Sequence, residues 1–417
     1  MSDRAARSDT TSIANASGVA TGSAEGGATG SRATAKAQTP GPGVETTSSN
    51  GSGAHLSETH PATSPGAAIR YGARPRVSVL IVSYKSADDI KRCVDSLLSA
   101  THELDLELVI VDNNSPDDTV ARIQQLSPTP TLVDSTPPTE LGAFPSSVEI
   151  RLIASDQNHG FGRAVNLAAS HARGDWFILL NPDTEVFDGS IDRLIAFAKA
   201  RPGAGLVGGR TVRPDGVTEP SSAWGAPSPW SAICFGLGLS SIGPLRPWFD
   251  PESLQDWNRE SVREVGVITG CLLATSREVW SELEGFDPDY FMYSEDTDLS
   301  MRATAAGYQP VVTPDAKIMH AVGASSAPAD RRVLIMRGKA TLIRRHFNTP
   351  MRKIGLAMLL LGSLLRSQPE RLGRPDGHGN LTWGQVWAER SSWIEGWPSA
   401  PGGHRPEILR RNEVPTS

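Results

Sequence analysis

From Val77 onward, short apolar runs alternate with amphipathic stretches. Val77-Ser78-Val79-Leu80-Ile81-Val82 leads into Ser83-Tyr84-Lys85 and predicts a first strand. Ile90, Val94, Leu97 and Leu98 recur at helical spacing, which predicts a helix from about Asp88 to Ala100. Leu108-Val109-Ile110-Val111 runs into Asp112-Asn113-Asn114-Ser115, and Pro116-Asp117-Asp118 opens the next helix. A third strand, Val148 to Ile153, precedes Asn158-His159-Gly160-Phe161-Gly162-Arg163 and a helix carrying Asn166. Trp176-Phe177-Ile178-Leu179-Leu180 ends at Asn181-Pro182-Asp183, and a helix from about Ser190 to Ala200 leads to Gly205-Leu206-Val207-Gly208. Apolar runs bounded by turn residues read as strands buried on both faces. Their alternation with helices predicts an α/β fold with a Rossmann-like, mostly parallel sheet flanked by helices.

The rhythm fails in three places. Residues 1–72 are Ala, Ser, Thr and Gly with scattered Pro, too poor in apolar groups to offset chain entropy, so a disordered low-complexity tail is expected. They contain no continuous apolar core of the signal-peptide kind. Residues 127–147 hold five prolines and suggest a surface insertion. Residues 213–264 carry Trp224, Trp230, Trp248 and Trp257 among prolines with little periodicity. Regularity returns at Val265 to Thr275, a helix from Ser276 to Leu283, the turn Gly285-Phe286-Asp287, a helix to about Ala306, and a short strand from Gln309 to Thr313. The expected organisation is a catalytic domain over 73–326, with a nucleotide half at 73–212 and an acceptor half at 213–326. A basic and apolar helical extension spans 327–366, and a polar, Pro-rich tail spans 367–417.

A net charge of −6 over 417 residues gives no reason to expect a nucleic-acid partner. Three widely spaced cysteines, Cys93, Cys234 and Cys271, form neither a disulfide framework nor a zinc pattern, and buried thiols in a reducing cytoplasm fit them.

Open α/β sheets bind ligands beyond the carboxyl ends of their strands, so Asp112 and Asp183 should converge on one crevice. Asp112 could accept from a pyrimidine N–H or a ribose hydroxyl, or close an Asx turn. Asp183, stiffened by Pro182, could hold a divalent cation such as Mn²⁺ or Mg²⁺ with a diphosphate, or close a strand. The glycines of Asn158-His159-Gly160-Phe161-Gly162 would let backbone approach a ligand, and Arg163 could bind a diphosphate or sit exposed at a helix start. Glu295-Asp296-Thr297-Asp298 opens a helix, where acids are favoured by the dipole in any case. On a helix only one of Asp296 and Asp298 can face the cleft, where it could deprotonate an acceptor hydroxyl. A single base without a carboxylate nucleophile implies direct displacement with inversion. His320 is a candidate second metal ligand or a structural histidine.

In order and spacing, these strings resemble the family 2 glycosyltransferases of the GT-A fold, especially a bacterial rhamnosyltransferase-like branch. The resemblance rests on Val82-Ser83-Tyr84, Asp112-Asn113-Asn114-Ser115, Asn158 to Gly162 with Asn166, Asn181-Pro182-Asp183 and Gly285-Phe286-Asp287, then on Phe291 to Leu299 and on His320 with Gly323 and Ser325. It implies a nucleotide-sugar site of Ser83, Asp112, Asn114, Asn158, Gly160, Arg163, Asn166, Asn181 and Asp183. It further implies Asp296 as base, Glu295 and Trp224 on the acceptor side, and Asp183 with His320 at the metal. Asn181 replaces the first acid of the family's Asp-X-Asp motif, so weaker cation binding in the absence of nucleotide is expected. The implied donor is dTDP-L-rhamnose, with UDP-sugars next, and the implied acceptor is a cell-envelope glycan or lipid-linked glycan.

Residues 331–353 contain eight Lys and Arg and no acid, directly before the apolar Ile354 to Leu365, which is too short to span a bilayer. This suits a peripheral contact with the anionic inner face of the plasma membrane, or a basic helix packed on the domain. Two other classes share parts of the pattern: a nucleotidyltransferase, for which Ser83-Tyr84-Lys85-Ser86 offers no basic glycine-rich loop, and a non-catalytic nucleotide or glycan binder.

Overall fold

The computed structural model describes residues 75–242, 246–320, 328–371 and 382–400. The 1–72 segment, Gly323, Ser325 and the end of the C-terminal tail lie outside them. Strands β1 (Arg76–Ser83), β2 (Asp105–Asp112), β3 (Thr131–Val133), β4 (Glu149–Ala154) and β5 (Trp176–Leu180) form a parallel array ordered β3-β4-β2-β1-β5. The 127–147 insertion therefore supplies an edge strand, β3, which proline density had hidden. Helices α1 (Ile90–Ser99), α2 (Thr119–Gln124), α3 (Phe161–His171) and α4 (Ser190–Ala200) fall between the strands, α1 to α3 as crossovers between parallel strands.

Side-chain alternation decides which helix covers which face. Val77, Val79 and Ile81 point into one core with Ile90, Val94 and Leu97 of α1 and Ile191, Leu194 and Ile195 of α4. Leu80 and Val82 point into the opposite core with Ala164, Val165 and Ala168 of α3 and with Trp280 and Phe286.

The second half of the chain completes the same sheet. After β6 (Thr184–Val186) come β7 (Leu206–Val212), β8 (Thr218–Glu219), β9 (Ala223–Trp224), α5 (Pro229–Gly236) and α6 (Arg246–Phe249). Then follow β10 (Arg263–Glu264), β11 (Val267–Ile268), β12 (Leu272–Ser276), α7 (Arg277–Glu282), α8 (Glu295–Ala305) and β13 (Val311–His320). β12 inserts antiparallel between β5 and β7, while β13 runs parallel to β7. The eleven-stranded sheet is thus parallel through the nucleotide half and mixed beyond it. β13 is longer than the expected strand because its register with β7 shifts between Val312 and Lys317 and then resumes. Pro314 lies in that irregularity, where no ladder N–H is needed.

Helices α9 (Pro328–His346) and α10 (Thr349–Arg371) pack with α5 and with two short helices, α11 (Trp383–Ala388) and α12 (Arg390–Ile394), around a third core containing Ala340, Ile343, Leu359, Val386 and Trp393. The polar, Pro-rich tail contains α11 and α12 within its described residues 382–400.

The basic stretch also differs from the membrane expectation. Arg337 donates to the Ser392 carbonyl, Arg344 to that of Ile394, Lys339 pairs with Glu252, and Arg345 with Asp287 and Asp289. These cations hold α12 and the 252–289 region to α9, the packed-helix alternative.

Candidate active site

β1 and β2 end side by side, with Ser83 in register with Asp112. Asp112 is buried and accepts from Ser83 Oγ at 3.2 Å, from the Ser115 N–H at 2.9 Å and from Ser115 Oγ at 2.6 Å. Three donors on roughly four acceptor positions make it a turn residue and leave Oδ2 one lone pair for a ligand. Asn114 is exposed with φ of 61°, so it shapes the turn, and its buried neighbour Asn113 makes the long-range contacts. Asn113 Nδ2 donates to Asn158 Oδ1 and the Gly160 carbonyl, and its Oδ1 accepts from the His159 N–H. Asn113 thus ties the 158–160 loop to β2, with Asn158 Oδ1 also accepting from the Gly160 N–H.

The glycines of that loop serve packing instead of ligand approach. Gly160 has φ of 80°, and a Cβ there would collide with the Phe291 carbonyl oxygen. A Cβ on Gly162 would lie 3.1 Å from Phe286 Cβ. The first N–H of α3, on Phe161, is given to the Phe291 carbonyl. Asn166, expected to touch the donor, is buried with both ends of its amide on the Phe286 backbone, at 2.8 and 2.9 Å. It clamps the Gly285-Phe286-Asp287 turn onto α3 and has no exposure to spare for a nucleotide. Arg163 is half-buried and donates Nε to the Pro288 carbonyl, with no carboxylate partner among the described residues, which leaves its remaining N–H groups able to meet an anion.

At the end of β5, the Asn181 carbonyl accepts from Thr184 Oγ1 at 2.7 Å and the Asn181 N–H donates to the Cys271 carbonyl. The turn delivers Asp183 beside His320, the last residue of β13, with Nε2 3.2 Å from Asp183 Oδ1. His320 is 1% exposed, yet among the described residues neither ring nitrogen has a hydrogen-bond partner of proper geometry. A buried imidazole without partners is costly, and a cation shared with Asp183 would satisfy it. Among the described residues no three His, Cys, Asp or Glu converge as a ready metal cage. The nearby thiols Cys93 and Cys271 are buried, which pushes them up to about 12 and about 11, away from metal-binding thiolate.

α8 begins after two non-glycine residues in the left-handed region, Tyr293 (φ 65°) and Ser294 (φ 75°). Such strain persists only where neighbours enforce it. Behind it, Gly338 of α9 fits so closely that a Cβ would collide with the Tyr293 carbonyl oxygen. In front, Trp397 donates Nε1 to the Met292 carbonyl at 3.1 Å and lies against Phe291 with ring centroids 5.4 Å apart. Phe291, Gly338 and Trp397 thus place the start of α8, and Trp397 lay in a segment to which sequence reasoning gave no role. A glycine inside the α9 pattern was the available signal for close packing.

Asp296 accepts from the Thr297 N–H at 2.7 Å, and the nearby Gly270 N–H favours its charged form. The Gly270–Cys271 segment therefore bridges Asp296 to the Asn181–Asp183 turn. Burial raises the Asp296 carboxyl above the usual aspartate range. Glu295 is buried with Oε2 unpartnered, and burial followed by the adjacent Asp296 charge pushes it up to about 8. Asp298 points elsewhere, to Arg302 at 2.7 Å and His346 at 2.8 Å. Burial works against its charge, but the hydrogen bond with His346 and the charge of Arg302 hold it below the ordinary value. Of the acidic run, Asp296 alone joins the Gly270–Cys271 bridge. Trp224 is half-buried on β9, whose partner β11 is tied to α8 by the Ile268 N–H on Ser300 Oγ.

A Rossmann-like sheet with acids gathered at its strand ends defines a nucleotide-dependent transferase site. The glycosyl transferase family 2 model matches residues 78–249. Over 255 residues the chain is 31% identical to the N-acetylglucosaminyl-diphospho-decaprenol L-rhamnosyltransferase of Mycobacterium tuberculosis, covering 58% of this chain and 75% of that protein. It is 28% identical over 265 residues to the O-antigen biosynthesis protein RfbC of Myxococcus xanthus, covering 62% of this chain and 18% of that one. A solved mannosyltransferase from Pyrobaculum calidifontis, in complex with GDP-Man and Mn²⁺, aligns with a TM-score of 0.47 and 19% identity, covering 77% of this chain and 81% of that one. The chain belongs to glycosyl transferase family 2 and is a glycosyltransferase.

Proposed function

We propose that this glycosyltransferase moves L-rhamnose from dTDP-L-rhamnose to a lipid-linked glycan at the cytoplasmic face of the membrane, with inversion. One observation carries the chemistry. The orphaned His320 beside Asp183 and the raised carboxyl of Asp296 are joined through the Gly270–Cys271 segment. The name of the Mycobacterium relative supports the choice of sugar and acceptor.

Asp183 and His320 would hold a divalent cation. Bound there, the cation neutralises charge on the departing diphosphate. Asp112 offers its open lone pair to the nucleotide, and Arg163 its free N–H groups to phosphate. Asp296, oriented by the Thr297 N–H and set near the Gly270 N–H, takes the proton of the acceptor hydroxyl. The hydroxyl oxygen bonds to the anomeric carbon as the bond to phosphate breaks, and the nucleoside diphosphate leaves with that electron pair. No second carboxylate is needed, so the configuration inverts.

Thermal stability of the full chain with dTDP, UDP, GDP or ADP, each with and without Mn²⁺, tests the reading. A ligand that binds only the folded state raises the unfolding temperature. A Mn²⁺-dependent rise selective for dTDP is expected. A rise selective for UDP replaces the donor, and no rise with any nucleotide overturns the reading in favour of a non-catalytic glycan binder.

A further inference from the structure

Eleven large hydrophobic side chains are exposed among the described residues, and six of them lie on two adjoining helical elements. Trp230, Leu237, Ile242 and Trp248 belong to the segment from α5 to α6, and Ile354 and Leu365 to α10. Trp248 is 75% exposed and Leu237 52%. Isolated exposed apolar groups are normal, but a cluster marks an interaction surface.

α5 and α10 lie side by side. A Cβ on Gly236 would press on Met358, one on Gly362 would press on Phe235, and Arg366 donates to the Phe235 carbonyl and to Ser240 Oγ. Leu237 follows Gly236 and Leu365 precedes Arg366, so both border that seam. Trp230 donates Nε1 to the Trp248 carbonyl and packs against Phe249 at 5.9 Å, which fixes the aromatic end of the cluster.

Charge indicates what covers it. Residues 220–249 and residues 331–369, the two stretches that supply all six side chains, contain no Asp or Glu; among the acids that border them are Asp250, Glu252, which pairs with Lys339, and Glu370 at the end of α10. Arg352 and the exposed Lys353 stand beside Ile354 at the start of α10. A protein partner would ordinarily meet a rim of both signs, whereas tryptophan with lysine or arginine and no acid matches the headgroup layer of an anionic bilayer. No helix among the described residues is long and apolar enough to cross a membrane.

We infer that the α5–α6–α10 face docks on an anionic bilayer, with Trp230 and Trp248 at headgroup depth and Arg352 and Lys353 toward lipid phosphates. Arg337, Lys339, Arg344 and Arg345 of α9 are committed to protein partners, so of the basic stretch only Arg352 and Lys353 belong to this contact. The inference rests on the lipid-linked acceptor reading only for its purpose, since docking would hold the enzyme in the plane of that acceptor.

The test is co-sedimentation of the full chain with vesicles of phosphatidylcholine alone or with added phosphatidylglycerol, with the dTDP thermal shift measured in parallel. Wild type should bind the anionic vesicles and not the zwitterionic ones. Trp248→Glu with Leu237→Glu, and separately Leu365→Glu, should each weaken binding by about tenfold or more with the dTDP shift unchanged. Absent binding, or equal binding by the variants, overturns the inference, as does a dimer in light scattering that the same variants dissociate. Because the dTDP shift is read separately, loss of vesicle binding with that shift intact leaves the catalytic reading standing.

Discussion

At the residue scale, Glu295 and Asp296 are adjacent carboxyls in one buried helix start, both raised by burial. The sign for stability follows from proton counts. Between the ordinary glutamate value and about 8, folded Glu295 retains a proton that the unfolded chain has released, so stability declines as pH rises through that window. Glu295→Gln removes the penalty. Its unfolding temperature should gain on wild type progressively from pH 5 to pH 9, by roughly a few degrees at the upper end. A pH-independent difference in calorimetry would contradict burial as the cause. Asp296 must be ionised to accept a proton, so kcat/KM should fall with decreasing pH at a value above the ordinary aspartate range. The acids were legible in the sequence because each stands directly after an apolar run or opens a helix. The roles of Asn113 and Asn166 were not, because the hydrogen bonds that define them reach 45 and 120 residues along the chain.

At the scale of elements, the start of α8 is held by α9 behind and Trp397 in front. Alanine is favoured over glycine inside a helix by about 1 kcal/mol. At Gly338 that preference should lose, because the new Cβ would overlap the Tyr293 carbonyl, a backbone atom with little room to yield. Gly338→Ala should lower both the unfolding temperature and kcat; a stabilised, fully active variant would show that the strained turn is not held from α9. Trp397→Ala should lower kcat more than it changes dTDP affinity, with Trp397→Phe restoring part of the loss by keeping the contact with Phe291. Strands β1, β2 and β5 and helices α1, α4 and α8 follow from local periodicity alone. The insertion of β12 between β5 and β7 does not, since strand pairing over long separations leaves no mark in local pattern.

Across the whole molecule, the catalytic sheet and the C-terminal helices are joined by polar contacts, buried at Asp298 and exposed at Arg345. Asp298 of α8 binds His346 of α9 while Arg302 donates to the Gly285 carbonyl at 2.8 Å, and Arg345 reaches Asp287 and Asp289. Removing one partner strands the other, typically at a cost of about 3–5 kcal/mol for a buried pair. Asp298→Asn should therefore lower the denaturant midpoint of the full chain substantially. The contribution of Asp298 is present above its unfolded-state value and lost as pH falls through its depressed folded value, so the variant should also show a flatter acid limb. A packed basic helix was one of the two sequence readings, but its partners Ser392, Ile394 and Glu395 could not be named because they lie in a stretch without periodicity.

The central claim is that Asp296 is the base of an inverting glycosyl transfer whose donor is held elsewhere in the site. Turnover and dTDP affinity of Asp296→Asn, measured beside wild type in the full chain, test it most directly. The amide keeps the shape and the bond from Thr297 but cannot take a proton at neutral pH. Turnover should fall by about 10²–10⁴ while dTDP affinity stays within about twofold. Retained turnover would remove Asp296 from the reaction and contradict the account.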